Sequence, residues 1–453
     1  MQDPTLDPSL RSWVETANDP ATDFPVQNLP LGMFINSEDE LKVGVAVGDR
    51  VVDLDMLVHS GALDAAAQEN EELFHTVHHA VHHAAPQLLM ERPEAWGPTR
   101  RAVQQWLLEG APGGQQSRRL REKACLAVSE VQLVEPCAFG GYTDFYASVH
   151  HATNVGSMFR PDNPLLPNYK HVPIGYHGRA SSIVVSGTEI RRPKGQTGAP
   201  PEGKGQPEFG PCKRLDYELE LGCVIGGGNV LGEPVGIDRA HELMFGFVLV
   251  NDWSARDMQA WEYQPLGPFL AKNFATSVSP WIVTRQVLEP FRVAGPERGE
   301  GDPEPLPYLQ ARDRNWGLDV QLEVLLSSAK MRAAGQAPVR VSRGNLQRMF
   351  WTFPQMIAHH TSNGCNMTPG DLIASGTISG PEPESRGCML ELTWAGNGPD
   401  GKPLPRKPLT LPTGETRAFL EDGDEVIMRG WCERSGMRRI GFGECRGVIA
   451  PAR

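Results

Sequence analysis

RLDYELELG, residues 214–222, sets Asp216, Glu218 and Glu220 at alternate positions with Tyr217, Leu219 and Leu221 between them. Side chains of a β-strand alternate between its two faces, so this spacing predicts one acidic face and one bulky face. Like charges along one face repel and cost stability unless positive charge sits among them. The stretch therefore reads as a strand whose acids need something to hold.

Downstream, LMFGFVLV (243–250) is an apolar run of strand length that breaks abruptly into NDWSARDMQAWEYQPLGP (251–268). That reads as a buried strand delivering polar residues at its end, where sites are commonly built. Ser254 and Asp257 are spaced as a helix-starting capping box, from which Arg256, Gln259 and Tyr263 fall on one face. Such a face suits an anionic or carbonyl-rich ligand, and equally an amphipathic surface helix. In GYTDFYASVHHATNVGSMFRP (141–161), Asp144 and His151 are seven apart and share one side if the stretch is helical. A buried, hydrogen-bonded histidine is the commoner reading of either His150 or His151. PGDLIASGTISGPEPESRGCMLELTW (369–394) holds a further strand ending at Gly376 to Gly380, where small residues permit close backbone approach. GGGN (226–229) is a turn without the strand and helix of a phosphate loop. Glu218 and Glu220, with Asp144 and Asp252 from elsewhere, supply an all-oxygen group that selects Mg²⁺ or Ca²⁺ over zinc. The residues alone leave that reading level with a salt-bridged surface strand.

With 453 residues, 40% hydrophobic and 22% charged, the chain has the composition of a soluble globular protein of two or three domains. A net charge of -12 and the absence of any basic run argue against nucleic acid and anionic membranes as partners. No apolar run reaches membrane-spanning length, and the polar, acidic start does not read as a secretory signal, so a cytoplasmic location is the expectation. Eight scattered cysteines without a CxxC pair are expected to be reduced and structural.

Texture divides the chain near residue 133. LKVGVAVGDRVVDL (41–54) reads as a β-hairpin, and 64–86 and 99–110 read as helices. Beyond 134, short apolar runs with Gly and Pro turns predict a larger, mostly β domain, closed by the successive strands of 422–451. RRPKGQTGAPPEGKGQPEFGP (191–211) and AGPERGEGDPEPLP (294–307) are too rich in Pro and Gly for regular structure and are expected to be loops. His75, His78, His79, His82 and His83 form one face of a helix. That stripe can bind a transition metal adventitiously, but lacks accompanying carboxylates and reads as a solvated or interface helix.

Long stretches resemble the fumarylacetoacetate hydrolase family: YTDFYASVHHATNVGSMFR, GYHGRASSIVVSGT, LDYELEL, NDWSARDMQAWEYQPLGPFLAKNF, NGCNMTPGDLIASGTISGPEPES and IGFGEC, with LPLGMF and VGVAVGDRVVDL matching more loosely. The resemblance implies a mostly β fold with some α, a small SH3-like N-terminal barrel (1–133) followed by a β-roll catalytic domain (134–453), and a homodimer. It implies a hydrolase of carbon-carbon bonds in ketonic substances. The implied substrate is a β-diketo acid, 4-fumarylacetoacetate, expected to be cleaved to fumarate and acetoacetate as the last step of tyrosine and phenylalanine degradation. Acylpyruvate hydrolases and decarboxylase/isomerases of the same superfamily are the rivals; they are usually shorter and lack the N-terminal domain. Asp144, Glu218, Glu220 and Asp252 are implied as ligands of Mg²⁺ or Ca²⁺, with Lys272 and Thr276 completing a second cation position. His151 matches the general base, oriented by Glu391. Arg256, Gln259 and Lys272 match groups that stabilise negative charge, and Tyr146, Arg160, Gln259, Tyr263 and Thr377 match substrate contacts, with Tyr176 lining the pocket. The histidine stripe belongs to none of these motifs. Replacing His75, His79 and His83 with Ala is therefore expected to leave kcat unchanged; a large loss in a steady-state assay would show that this helix serves the chemistry.

Overall fold

The computed structural model describes residues 3–64, 70–111, 115–198, 206–399, 401 and 404–453. Thirteen strands form one mixed sheet: β1 (Leu31–Ile35), β2 (Leu41–Val47), β3 (Arg50–Asp53), β4 (Cys125–Ala127), β5 (Gln132–Leu133), β6 (Tyr142–Phe145), β7 (Gly175–His177), β8 (Ile183–Val185), β9 (Leu219–Ile225), β10 (Met244–Asp252), β11 (Thr276–Val278), β12 (Trp281–Thr284) and β13 (Leu372–Ala374). Their lateral order is β4-β3-β2-β1-β12-β10-β9-β13-β6-β7, with β5 on β1, β11 on β10 and β8 on β11. A second, five-stranded sheet runs Val339–Asn345, Gln321–Ser327, Glu425–Cys432, Ile440–Ala450 and Ile190–Arg191. The helices used below are α1 (Leu54–His59), α2 (Glu71–His82), α3 (Trp96–Leu107), α4 (Val149–Phe159), α5 (Arg256–Glu262) and α6 (Met389–Leu392).

The run LMFGFVLV is apolar throughout because β10 is covered on both faces. Phe247 and Leu249 join Leu219, Leu221, Val324, Met428 and Phe442 in a core beneath the five-stranded sheet. Val248 and Val250 turn the other way, into a core shared with Val43, Val45, Val52, Leu54 and Leu57 of the N-terminal part. A strand buried on both faces loses the polar alternation of a half-exposed one. Alternation survives where chemistry requires it: Tyr217, Leu219 and Leu221 face the first core, as the opening stretch predicts.

Several expectations change on contact with the fold. Among the described residues the N-terminal strands do not close into a barrel. β1 gives one edge to β2 and the other to β12, with Leu31 opposite Ile282 and Gly32 opposite Trp281, so the N-terminal strands extend the large sheet. Gly32 permits that join, since a Cβ there would lie 2.5 Å from the Pro280 carbonyl oxygen. Asp144 and His151 do not share a helix. Asp144 closes β6, and Ser148 starts α4 by accepting a hydrogen bond from the His151 N–H at 3.3 Å. Within 191–211, Lys194–Thr197 pairs with Glu208–Pro211 as an antiparallel hairpin despite its composition, while 199–205 lies outside the described residues. Residues 65–69 of the predicted helix at 64–86 also lie outside them. No helix among the described residues is long and apolar enough to cross a membrane.

Leu249 is fully buried between the two sheets. Truncating it to Ala leaves a cavity whose cost is about 2–5 kcal/mol. Urea unfolding should show a lowered midpoint with an unchanged slope, and a midpoint equal to that of the parent would mean the sheets are not packed as described.

Candidate active site

β6, β9 and β10 each bring an acid to the same end of the sheet, with β13 between β6 and β9. Asp144 of β6 sits opposite Ala374 of β13, and Ala374 opposite Gly222 of β9. Two residues before Gly222 stands Glu220, paired with Val250 of β10, and Asp252 follows two residues later on β10. The Asp252 N–H donates to the Glu218 carbonyl at 3.3 Å, which places Glu218 beside it. One oxygen from each of Asp144, Glu218, Glu220 and Asp252 lies within 4.8 Å of the other three, and all four residues are buried.

Positive charge accompanies these acids but does not balance them. Lys272 Nζ donates to Asp252 Oδ2 at 2.5 Å and lies 2.9 Å from Glu218 Oε2. Arg256 lies 2.6 Å from Glu218 Oε1 through Nη1 and 2.9 Å from Asp216 Oδ2 through Nε. Burial opposes ionisation of Glu218, yet the Lys272 and Arg256 charges hold its carboxyl well below the usual range. Burial likewise works against the charge on Lys272, and the Asp252 and Glu218 carboxylates outweigh it, so its pKa is raised. Glu220 and Asp144 behave oppositely. Burial, then the charge of neighbouring carboxylates, pushes both well above the normal carboxylate range. Both oxygens of Glu220 and Oδ1 of Asp144 are buried without a hydrogen-bond partner. Unpartnered buried carboxylate oxygens are costly. A hard divalent cation relieves that cost, and the donor set, all oxygen, fits Mg²⁺ or Ca²⁺. The expected second cation position beside Asp252 already holds the Lys272 ammonium. A protonated Nζ has no lone pair, so of that predicted pair only Thr276 Oγ1, 3.2 Å from Asp252 Oδ1, offers an oxygen.

Across the cavity lies His151. Its Nδ1 is 2.6 Å from Glu391 Oε2, and Glu391 also accepts from Asn154 Nδ2 at 2.7 Å, Ser379 Oγ at 2.8 Å and Cys388 Sγ at 3.2 Å. Burial alone would raise the Glu391 carboxyl; the His151 ring and these donors bring it down to about 2. His151, Cys388 and Glu391 could themselves group around a metal. Burial and the Glu391 charge push the Cys388 thiol well up, so it is a donor to Glu391 instead of a thiolate ligand.

Asp216, the first acid of the opening stretch, stands outside the four-acid group and pairs with Arg256. Its oxygens accept the Met389 and Leu390 N–H groups at 2.7 and 3.0 Å, at the start of the turn that carries Glu391. Ser254 does not cap α5; its Oγ donates to Glu218 Oε1 at 2.8 Å, and α5 starts after Ala255 without a side-chain cap.

A cavity of about 1050 Å³ joins these parts, lined by Asp144, Tyr146, His151, Arg160, Tyr176, Glu218, Arg256, Gln259, Tyr263, Lys272 and Thr377. Glu220, Asp252 and Thr276 stand behind its floor and Glu391 behind His151. Two buried donors facing this region lack partners, Arg256 Nη2 and Thr377 Oγ1. Tyr176 OH donates to Asp252 Oδ2 at 2.8 Å, and Arg256 Nη1 donates to Gln259 Oε1 at 3.1 Å. Arg160, exposed at the rim, donates to the Pro164 carbonyl at 3.2 Å. Arg214 and Arg406 line the cavity as well and were not foreseen. Arg406 comes from a Pro-rich segment with no periodic signal, and its Nη1 donates to the Leu390 carbonyl at 2.8 Å. None of the five histidines of the stripe lines the cavity.

A deep cavity floored by hard-oxygen donors, with a histidine-carboxylate pair on one wall, defines an enzyme site suited to a divalent cation and a general base. Family models agree: "Fumarylacetoacetate (FAA) hydrolase C-terminal" matches residues 141–450 and "Fumarylacetoacetase N-terminal" matches 27–136. The chain belongs to the fumarylacetoacetate hydrolase family. It is 46% identical over 450 residues to the fumarylacetoacetase of Bos taurus, covering 97% of this chain and 99% of that one. The Arabidopsis thaliana fumarylacetoacetase is 46% identical over 445 residues (98% and 99% covered), and the human one 45% over 443 residues (97% and 99%). A solved fumarylacetoacetate hydrolase from psychrophilic Exiguobacterium antarcticum covers 94% of this chain and 100% of its own, at 15% identity and a TM-score of 0.49, too distant a likeness to bear on the site.

The depressed Glu391 carboxyl has a consequence for stability. Its folded value of about 2 lies below the ordinary 4.5, so its contribution is complete above about 4.5 and is lost as pH falls toward 2. Chemical unfolding of Glu391→Gln and the parent should therefore differ most near neutral pH and converge in acid, whereas a constant gap would contradict the pairing.

Proposed function

We propose that this chain catalyses metal-dependent hydrolysis of 4-fumarylacetoacetate to fumarate and acetoacetate, the closing step of tyrosine and phenylalanine degradation. The observation that carries the reading is the His151–Glu391 pair facing the buried four-carboxylate group across one cavity, in a chain 46% identical to a named fumarylacetoacetase over nearly its whole length. A ketonic carbon-carbon bond breaks hydrolytically when water adds to a carbonyl and the other carbon leaves with the electron pair. When bound at Asp144, Glu218, Glu220 and Asp252, a divalent cation supplies Lewis-acid charge where that negative charge develops.

The chain's own residues do the rest. Nδ1 of His151 donates to Glu391, which leaves the Nε2 lone pair to take a proton from water. A positioned base of this kind contributes about 10²–10⁴ in rate. Arg256, through its unpartnered Nη2, receives the tetrahedral oxyanion together with Gln259 and Lys272; one such donor is worth on the order of 10²–10³. Arg160, Tyr146, Tyr263 and Thr377 grip the substrate carboxylates and carbonyls, and Tyr176 closes the wall beside Asp252. A second cation position at Lys272 and Thr276 would draw on Thr276 Oγ1 and main-chain oxygens.

The reading extends to Mg²⁺ or Ca²⁺ as the ion, to a homodimer and to a cytoplasmic site of action. Exposed Leu266, Phe269 and Leu270 near the cavity mouth support self-association, and eight unpaired cysteines support a reducing compartment. The reading divides the chain at 133/134 into a small N-terminal domain and a β-roll catalytic domain, and every residue given a role above lies in the latter.

Purified protein should consume fumarylacetoacetate in an absorbance assay and leave acylpyruvates largely untouched; the reverse preference would move it to the rival activity. Chelation of divalent ions should abolish turnover and Mg²⁺ or Ca²⁺ restore it, while full activity in a metal-stripped sample would remove the cation. His151→Ala should lower kcat by about 10²–10⁴ with an unchanged circular dichroism spectrum, and a near-normal rate would exclude it as the base.

A further inference from the structure

Away from the cavity, two helices of the N-terminal part bring a second set of metal-ligating side chains together. Asp55 and His59 are four apart on α1, and His78 and His82 are four apart on α2. That spacing stacks each pair on one helix face. Packed against each other, the helices bring the pairs into contact. One ligand atom each from Asp55, His59 and His82 lies within 4.8 Å of the other two. The His78 ring centre is 5.6 Å from that of His59 and 6.0 Å from that of His82, and His59 and His82 are 6.1 Å apart. Three imidazoles at nearly equal spacing thus cluster here, and two of them, His59 and His82, are near enough to Asp55 to share an ion with it. The histidine stripe has no carboxylate of its own in sequence; the fold supplies one from Asp55.

Details around the cluster fit a ligand set. His59 Nδ1 is 2.9 Å from the Asp55 main-chain oxygen, the kind of outer hydrogen bond that orients an imidazole ligand. Asp55 Oδ2 is taken by Lys42 Nζ at 3.2 Å, while Oδ1 is buried, stands 3.1 Å from His59 Nδ1 and has no hydrogen bond. His79 and His83, their rings 5.5 Å apart, lie outside the group that includes Asp55, although the His83 ring is 4.9 Å from that of His82. The donor set is also chemically distinct from the cavity floor. Imidazole nitrogens with one carboxylate favour zinc and its neighbours in the transition series, whereas four carboxylates favour Mg²⁺ or Ca²⁺.

We propose that Asp55, His59 and His82, with the His78 ring alongside, form a second metal site, for a zinc-class divalent ion, that ties α1 to α2. The site is structural and independent of the reaction in the cavity. A metal bound only by the folded state raises stability by mass action, and this one does so by linking two short helices across the gap between them.

The test uses the full chain with excess Mg²⁺ present to fill the all-oxygen site. Zn²⁺ is titrated calorimetrically, bound zinc is counted by elemental analysis after desalting, and thermal melts are recorded with and without Zn²⁺. One tight equivalent and a raised Tm are expected for the parent and for the His79→Ala/His83→Ala control. The His59→Ala/His82→Ala variant should lose both, with affinity weakened at least 100-fold, on the order of the largest loss seen when an outer hydrogen bond to a metal ligand is removed. Unchanged zinc content in that variant, or equal losses in the two double variants, would overturn the proposal and leave only diffuse binding along the stripe. Circular dichroism of the metal-free variants shows whether either has failed to fold.

Discussion

Everything in the catalytic half is arranged around carboxylates taken out of water. An ionised carboxylate left alone in a protein interior costs several kcal/mol, and five of them, Asp144, Asp216, Glu218, Glu220 and Asp252, lie buried in one region against only Lys272 and Arg256. The sheet makes the arrangement possible because β6 and β10 end, and β9 begins, close together at the cavity floor, with β9 and β10 packed on both faces. Lys272 and Arg256 secure Glu218. Glu220 and Asp144 remain without donors, and their raised proton affinity is the electrostatic signature of charge still to be supplied.

The same charges help to position His151. Arg256 bridges Glu218 to Asp216, and Asp216 in turn holds the Met389 and Leu390 N–H groups that start the Glu391 turn. Glu391 then fixes His151 at 2.6 Å. A buried path of ion pairs, hydrogen bonds and one helical turn therefore runs from the four-carboxylate group to the His151 imidazole. Asp216 is best understood as the joint between them, acting through Arg256 and Glu391 without facing the cavity.

Much of this was legible in local pattern. The period of two in RLDYELELG foretold which residues face the core, although the stretch is not one strand: Leu215–Asp216 pairs with Ser254–Ala255, and β9 begins only at Leu219. The abrupt end of LMFGFVLV foretold where Asp252 would be delivered. GTISG announced a close backbone approach, and Gly376 has a positive φ of 75° with the Phe145 carbonyl where a Cβ would go. What failed was information carried by tertiary contact. Asp144 looked helical beside His151 because nothing local reveals that β6 pairs with β13, and the 194–211 hairpin was hidden by its own Pro and Gly content. Joining of β1 to β12 depends on residues some 250 positions apart, so a closed N-terminal barrel could not be tested against it from sequence. Asp55 beside His82 is a contact of the same kind.

Burial and mutual repulsion make Glu220 and Asp144 hold protons more tightly than ordinary carboxylates, and a divalent cation binding between them displaces those protons. Calorimetric titration of metal-free protein with Mg²⁺ or Ca²⁺, repeated in buffers of different ionisation enthalpy, measures this directly because a raised carboxyl must give up its proton on binding. The account predicts proton release at neutral pH on saturable binding, and loss of that binding in Glu220→Gln. Binding without proton release, or undiminished binding in Glu220→Gln, would contradict it.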